Sequence, residues 1–296
     1  MAPRTTKFKA VILAGGSGER FWPLSTPERP KQFLKIFGEK SLIRQAVERL
    51  NGIASPEDIY IVPAEKYVVM SRRELPELPR KNFIGEPMKR NTAAAVSLGV
   101  ECCKDGIVGV FPADQLVAKP AAFKKSLKAA IKLATKKETI VTLGIQPTYP
   151  ATGFGYIDPK VGKFVEKPDE KHAKEYIQHG YLWNAGMFIA AADTFRKAFH
   201  AYAPELEGVR LRNYPKLPSI SFDYAIMEKY PAVSVVASDC GWDDVGSYAA
   251  LEKYHPELLD ENQNLVVNEA NLPVRVKNIS NSIIVVTQDG ILVSAK

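Results

Sequence analysis

Near the N-terminus, glycines and cations are spaced in a way that could do chemistry: Leu13-Ala14-Gly15-Gly16-Ser17-Gly18-Glu19-Arg20-Phe21-Trp22-Pro23-Leu24, closing on Arg29-Pro30-Lys31. Glycine lets backbone approach a ligand closely and adopt positive φ. Successive N–H groups in such a loop can turn toward an anion. Arg20 and Lys31 add fixed positive charge on either side of a proline-rich loop. Together these residues suit a polyphosphate. Spacing tests the alternatives. A P-loop needs a Lys directly after its last glycine, and none follows Gly18. A dinucleotide fingerprint needs a third glycine where Phe21 stands. A nucleophile elbow needs glycine where Glu19 stands. A plain turn has no use for Arg20 and Lys31.

Two acids stand where ligands gather. Asp114 follows the apolar run Ile107 to Phe111, at the strand end where open α/β sheets bind ligands. It could equally close a turn. Asp244 lies between an apolar run at Val233 to Val236 and a helix expected near Ser247, which it could equally cap. Asn91 opens an Ala- and Val-rich helical stretch, and a helix N-terminus favours anions; a plain N-cap fits as well. The four histidines, His172, His179, His200 and His255, lack metal-ligand spacing. No Ser-His-Asp arrangement is apparent. The three cysteines, Cys102, Cys103 and Cys240, form no Cys-x-x-Cys and fit a reducing compartment.

Gly-Gly-x-Gly-x-Arg-Phe-x-Pro-Leu-Ser with Arg-Pro-Lys-Gln-Phe resembles the signature of sugar-1-phosphate nucleotidyltransferases, most closely those that join GTP to mannose 1-phosphate. Further matches follow in family order over residues 8 to 295. They are Gly85-Glu86-Pro87 with Arg90-Asn91-Thr92-Ala93, Phe111-Pro112-Ala113-Asp114, Gly153-Phe154-Gly155-Tyr156, and Phe164-Val165-Glu166-Lys167-Pro168. Trp183-Asn184-Ala185-Gly186-Met187-Phe188, Phe222-Asp223-Tyr224-Ala225 and Trp242-Asp243-Asp244-Val245-Gly246 complete the series. One departure is Gln115, where the family has His after the Asp.

The resemblance implies an enzyme making GDP-mannose and pyrophosphate, with Mg²⁺ as cofactor. It implies that Leu13, Ala14, Gly15, Gly16, Ser17, Gly18, Glu19, Glu86, Pro87, Arg90, Asn91, Thr92 and Asp114 meet the nucleotide. Arg20 would bind the departing pyrophosphate and Lys31 would neutralise the reacting phosphates. Gly155, Glu166, Lys167, Asn184 and Asp223 would receive the sugar phosphate, although Asp223 could instead cap a helix. Asp114 and Asp244 would hold the metal, the family pattern selecting Asp244 over Asp243. Hard carboxylate oxygens suit Mg²⁺, which takes one or two carboxylates plus substrate phosphate. Alternative readings are a relative using glucose 1-phosphate with dTTP or UTP, a glycosyltransferase, and a non-catalytic nucleotide-sugar sensor. The sensor should have lost a catalytic cation or acid, yet Arg20, Lys31, Asp114 and Asp244 are all present.

The elements that must position these residues are legible in outline. The run Phe8 to Leu13 reads as a strand buried on both faces. Helix is expected over Ser41–Leu50, Glu65–Glu74, Asn91–Lys104, Asp169–Gln178, Asp193–Ala201 and Phe222–Lys229. Strands are expected over Asp58–Val62, Asn82–Ile84, Ile107–Phe111, Thr139–Ile145, Lys163–Glu166, Leu182–Ala190 and Val233–Val236. This alternation predicts a doubly wound, mostly parallel, Rossmann-like α/β sheet. The catalytic domain is expected over 1–257. A C-terminal β segment over 258–296, of β-helix character, carries runs at Asn264–Val267, Val274–Val276, Ser282–Val286 and Ile291–Ser294, with a hairpin turn at Asp289-Gly290. Neither the final helix nor the isomerase domain of longer relatives is expected within these residues. That segment is too small to bury its own core, so a homodimer through it is expected.

Over 296 residues the hydrophobic fraction is 46%, ordinary for a globular core, and net charge is +7. That charge suits anionic substrates or nucleic acid. The basic stretch Lys124, Lys125, Lys128, Lys132, Lys136 and Lys137 carries an apolar stripe, Phe123, Leu127, Ala130, Ile131 and Ala134, and reads as a solvated helix face. No nucleic-acid partner is expected. No run approaches a membrane span, and the N-terminal apolar run is too short for a secretory signal, so the expected compartment is the cytoplasm.

Overall fold

The computed structural model describes residues 7–16 and 18–296. Its strands are β1 (Phe8–Ala14), β2 (Ile59–Pro63), β3 (Ile107–Pro112), β4 (Leu116–Val117), β5 (Val141–Ile145), β6 (Tyr156–Ile157), β7 (Phe164–Val165), β8 (Leu182–Ala191), β9 (Ser234–Ala237), β10 (Trp242–Asp243), β11 (Leu265–Asn268), β12 (Ser282–Val286) and β13 (Ile291–Ala295). Its α-helices are α1 (Leu42–Glu48), α2 (Val68–Glu74), α3 (Asn91–Cys103), α4 (Pro120–Lys136), α5 (Glu170–Gln178), α6 (Ala192–Tyr202) and α7 (Tyr248–Tyr254). The chain forms two units. The first holds residues up to Gly15, Ala46–Ala113 and Val117–Trp242; the second holds Gly16–Gln45, Asp114–Leu116 and Asp243–Lys296.

The first unit is built on a sheet of order β2-β1-β3-β8-β5-β9, with β6 on β8 and β7 on β6. β1 runs parallel to both β2 and β3, and β5 parallel to β9. β8 is antiparallel to β3 and β5, so one reversed strand joins two parallel groups. Direction of this kind is not written in a strand's own residues, which are apolar whichever way it runs. Leu13 pairs with Val62 on one side and Pro112 on the other. β1 and β3 therefore end side by side, and the segments leaving them start from adjacent points.

Helix α3 is buried on nearly every side because its residues are small: Ala93, Ala94, Ala95, Val96, Gly99 and Val100. Gly99 lies so close to β1 that a Cβ there would fall 2.4 Å from Val11 Cγ1. Its cluster takes in β-strand residues and the aromatic residues Phe188, Phe195, Phe199, Tyr214 and Phe222. α4 buries Phe123, Leu127, Ala130 and Ala134, and Lys125, Lys128, Lys132 and Lys136 lie toward solvent. No helix among the described residues is long and apolar enough to cross a membrane.

In the second unit, β11 pairs parallel with β12, and β12 pairs antiparallel with β13. Thr287 N donates to Gly290 O at 3.0 Å and closes the Asp289-Gly290 turn. Leu265, Val267 and Val285 share an apolar cluster with Phe21, Leu24, Leu34, Leu116, Val245, Tyr248 and Leu251. The tail thus builds its core with the glycine-loop segment rather than alone.

Three expectations need correction. Residues 82–84 form no strand: a 3₁₀ turn spans Arg80–Asn82, with a single bridge between Ile61 and Phe83. Asn82 is buried and spends its amide on Glu57 O (3.0 Å) and Ile59 O (2.9 Å), which favours a bend over a ladder. Residues 274–276 are irregular, where Pro273 supplies no N–H and Val274 is exposed. The helix expected at 222–229 is a π-turn over Asp223–Met227, in which Glu228 N reaches Asp223 O at 3.0 Å.

Candidate functional site

In the second unit the glycine loop folds back onto Lys31. Gly18 has φ 68°, and a Cβ there would lie 2.4 Å from Lys31 Cβ and 2.7 Å from Lys31 N. Only glycine allows that approach at that φ. Ser25 Oγ donates to Gly18 O at 2.5 Å, and Gln32 Nε2 donates to Gly16 O at 3.1 Å. Glu19–Phe21 forms a 3₁₀ turn with Phe21 buried and Glu19 exposed. The Tyr248 hydroxyl lies 2.9 Å from Phe21 O and 3.0 Å from Trp22 O, donating to one, and its ring packs on Phe21. Ser17 lies outside the described residues.

Lys31 is 6% exposed. A buried ammonium is costly unless paired and hydrogen-bonded, and Lys31 Nζ donates to Asp114 Oδ2 at 3.0 Å and to Asp244 O at 2.9 Å. The carbonyl reaches Lys31 through a strained turn. Val245 is β-branched, buried, and at φ 50°, a backbone state that costs about 1–3 kcal/mol. Asp243 Oδ1 accepts from Val245 N at 2.9 Å. Burial pushes the Asp244 carboxyl up, Lys31 and Arg20 oppose this, and Asp243 and Asp114 add to the rise. Arg20 is exposed and makes no ion pair among the described residues.

The chemistry of the acids tests whether a divalent cation fits. Asp243 Oδ2 is held by Lys253 Nζ at 2.8 Å and Tyr254 OH at 3.2 Å, so both its oxygens are occupied. Asp114 and Asp244 share one electrostatic neighbourhood and repel each other, a situation a cation relieves. Among the described residues no three His, Cys, Asp or Glu gather as a metal cage. Two carboxylates plus substrate oxygens are a donor set that fits Mg²⁺.

The first unit carries two clusters. Leu13 and Ala14 end β1, and Gly15 follows against Glu86: a Cβ on Gly15 would fall 2.4 Å from Glu86 Oε2. Glu86 is 7% exposed, and its other oxygen, Oε1, accepts from the Tyr214 hydroxyl. Burial pushes the Glu86 carboxyl up to about 7, the Tyr214 hydrogen bond opposing it. Arg90 Nη2 donates to Pro215 O, the Asn91 side chain accepts from Thr92 N at 2.8 Å, and Thr92 Oγ1 accepts from Phe222 N at 2.8 Å. Pro87 and Asn91 are exposed.

The second cluster surrounds Asn184. Asn184 Nδ2 donates to Asp223 Oδ1 at 3.0 Å, and Asn184 Oδ1 accepts from Gly186 N at 3.1 Å. The Thr142 hydroxyl lies 2.9 Å from both Asn184 Oδ1 and Met187 O. Gly155 leaves room for Glu166, whose Oε2 would sit 2.6 Å from a Cβ there. Lys167 Nζ lies 2.8 Å from Glu166 Oε1; that hydrogen bond raises the proton affinity of Lys167. Burial, then the Glu166 charge, pushes Asp223 up. Glu166 N donates to Glu228 Oε1 at 3.0 Å.

Lys31 thus meets Asp114 and Asp244, Gly15 meets Glu86, and Asn184 meets Asp223. Tyr214 holds Glu86, Thr142 holds Asn184, Glu228 holds the Glu166 N–H and Tyr248 the Phe21–Trp22 backbone, and all four were missed from sequence. Each partner is distant along the chain, and each residue by itself reads as an ordinary core or surface side chain.

The class of protein follows from comparison with known families: the nucleotidyl transferase family model matches residues 9–261, and the chain belongs to that family. The chain is 33% identical to mannose-1-phosphate guanylyltransferase RfbM of Salmonella typhimurium, over 98% of this chain and 70% of that protein. It is 31% identical to alginate biosynthesis protein AlgA of Pseudomonas syringae pv. tomato, over 97% of this chain and 68% of that one. A solved structure, mannose-1-phosphate geranyltransferase from Thermus thermophilus, matches with a TM-score of 0.86 at 33% identity, covering 97% of this chain and 95% of that one.

Glu86 makes stability depend on pH. From its ordinary 4.5 up to about 7, the native carboxyl keeps a proton that the unfolded chain has released. Its contribution is complete below about pH 4.5 and is lost as pH rises through 7, at about 1.4 kcal/mol per unit of displacement. Asp223 slopes the same way. Urea unfolding at pH 5 and pH 8 is expected to show the decline, and Glu86→Gln to flatten part of it.

Proposed function

We propose that this chain transfers a guanylyl group from GTP to mannose 1-phosphate, releasing pyrophosphate and making GDP-mannose. The observation that carries the reading is the buried Lys31 ammonium held between Asp114 and the Asp244 carbonyl. A phosphate oxygen of the sugar phosphate attacks the α-phosphorus in line. The new P–O bond forms as the bond from the α-phosphorus to the bridging oxygen breaks, and that oxygen leaves with pyrophosphate. The nucleophile is already ionised near neutral pH, so no general base is required. What is required is positive charge where negative charge develops. Lys31 meets the reacting phosphates, Arg20 the pyrophosphate, and the N–H groups of Gly15, Gly16 and Gly18 the nucleotide.

Guanine is favoured by Glu86, whose Oε2, left open by the Tyr214 hydrogen bond to Oε1, can accept from the adjacent N–H donors on that base's edge. Lys167 takes the sugar phosphate, and Glu166 and Asp223 take sugar hydroxyls. Asn184 spends its amide mainly on orienting Asp223. Asp114 and Asp244 would hold Mg²⁺, which when bound offsets the repulsion between the two substrate anions. The names carried by RfbM and the Thermus thermophilus structure support mannose 1-phosphate as acceptor.

We also propose a cytoplasmic homodimer. Its support is the free cysteines and Ile291 and Val293, each 61% exposed along β13. The full chain is expected to sediment as a dimer and Ile291→Asp with Val293→Asp as a monomer; equal masses reject the interface.

Product mass from GTP, ATP, UTP and dTTP against mannose and glucose 1-phosphates tests the substrates. GDP-mannose is expected; turnover at least tenfold better with dTTP or UTP and glucose 1-phosphate overturns the assignment, and binding without turnover makes the chain a sensor. Among variants, Lys31→Ala is expected to lower kcat about 10²–10³-fold with the fold intact. Asp244→Asn should weaken the Mg²⁺ titration of activity far more than Asp243→Asn, and the reverse order removes Asp244 from the metal.

A further inference from the structure

The carboxyl of Glu86 is asymmetric. One oxygen, Oε1, is capped by a fully buried tyrosine hydroxyl from a segment 128 residues away; the other, Oε2, faces Gly15. Tyr214 is 0% exposed and begins a 3₁₀ turn, Tyr214–Lys216. That turn is anchored on the face of the first unit that carries α3. Leu206, Val209, Tyr214 and Leu217 join the apolar cluster of α3, and Val209 N donates to Ser97 Oγ at 3.4 Å. Arg90, just before α3, donates to Pro215 O, one residue beyond the tyrosine. The hydroxyl therefore arrives at Glu86 on a fixed scaffold. A phenol packed against apolar neighbours needs no partner for its ring, but its O–H must donate to something. Here it donates to the acid that lies against Gly15.

We infer that Tyr214 is a positioning residue for base specificity: it holds Oε1 of Glu86 so that Oε2, at Gly15, is presented as an acceptor to the N1–H and 2-amino donors of guanine. This rests on the reading of GTP as substrate. The hydroxyl acts in two ways. It fixes the rotation of the carboxyl about its last bond, which is otherwise broad. It also favours the ionised form, since a hydrogen bond donated to a carboxylate stabilises its charge. A protonated Glu86 would keep a neutral acceptor oxygen only, and its hydrogen bonds to the N–H groups of the base edge would be weaker than those of the carboxylate. Neither effect needs Tyr214 to touch the nucleotide.

The test compares GTP with ITP, whose base lacks only the 2-amino group, in the full-length parent and in Tyr214→Phe, which keeps the ring and removes the hydroxyl. The parent is expected to prefer GTP. In Tyr214→Phe, kcat/KM for GTP is expected to fall about 10- to 100-fold through KM, and that for ITP by a smaller factor, so the ratio contracts. The KM for mannose 1-phosphate and kcat at saturating GTP should stay within about twofold. Equal losses for GTP and ITP, or losses in kcat alone, would mean a structural role and overturn the inference. An unchanged ratio in a parent that does prefer GTP also overturns it while leaving the substrate reading standing. A parent that makes no distinction between GTP and ITP overturns the inference, and a parent that does not turn over GTP overturns the substrate reading.

Discussion

A buried ammonium cannot stand alone, and the second unit is arranged around that constraint. Lys31 has lost nearly all its water, so its charge must be answered by protein. The answers are a carboxylate from Asp114, just after β3, and a backbone carbonyl from Asp244, just before α7. Each makes a demand in turn. The Asp244 carbonyl is followed by Val245 in a left-handed conformation, which the Asp243 hydrogen bond and the apolar cluster around Val245 hold. The loop before Lys31 can lie against its backbone only with glycine at position 18. A cation fixed in this way is already oriented, so the role proposed for it toward phosphate would need little reorganisation.

The same logic, with opposite sign, governs the acids. Glu86, Asp223 and Asp244 all have proton affinities raised first by burial. What differs is the compensation: a tyrosine hydroxyl for Glu86, its own backbone N–H, then Lys167 and the Asn184 amide for Asp223, and Lys31 and Arg20 for Asp244. Desolvated carboxylates cost stability. They also make strong acceptors for substrate hydroxyls, base N–H groups or a cation, because water no longer competes. Clusters of this kind make candidate functional sites.

The sheet supplies the placement. Because β1 runs parallel to β3 with Leu13 opposite Pro112, the strand ends that lead to Gly15 and Ala113 lie side by side within the first unit. β8, reversed between β3 and β5, places Asn184 near Thr142 of β5. The π-turn at Asp223–Met227 begins with the acid that Asn184 holds. Inserting one residue into a helical turn re-aims side chains, and such turns are frequent at functional sites.

By itself the sequence determined the class of fold and the identity of the chemical groups. Apolar runs of strand length ending at Gly15 and Pro112, alternating with helical periodicity, suffice for an α/β sheet, because burial on both faces demands continuous apolar residues. Glycines flanked by Arg20 and Lys31 suffice to propose an anion site, because backbone approach and charge are properties of the residues themselves. Only the tertiary structure decided which groups meet. Tyr214 lies far from Glu86 along the chain, Lys31 far from Asp244, and neither pairing has a local signature. It also decided the direction of β8, the bend at 80–82 and the π-turn at 223–227, since these depend on where neighbours pack and which carbonyls remain free. Asp243 and Asp244 are chemically identical in sequence. They part only in the fold, where Lys253, Tyr254 and Val245 occupy the oxygens of Asp243 and Asp244 turns its carbonyl to Lys31.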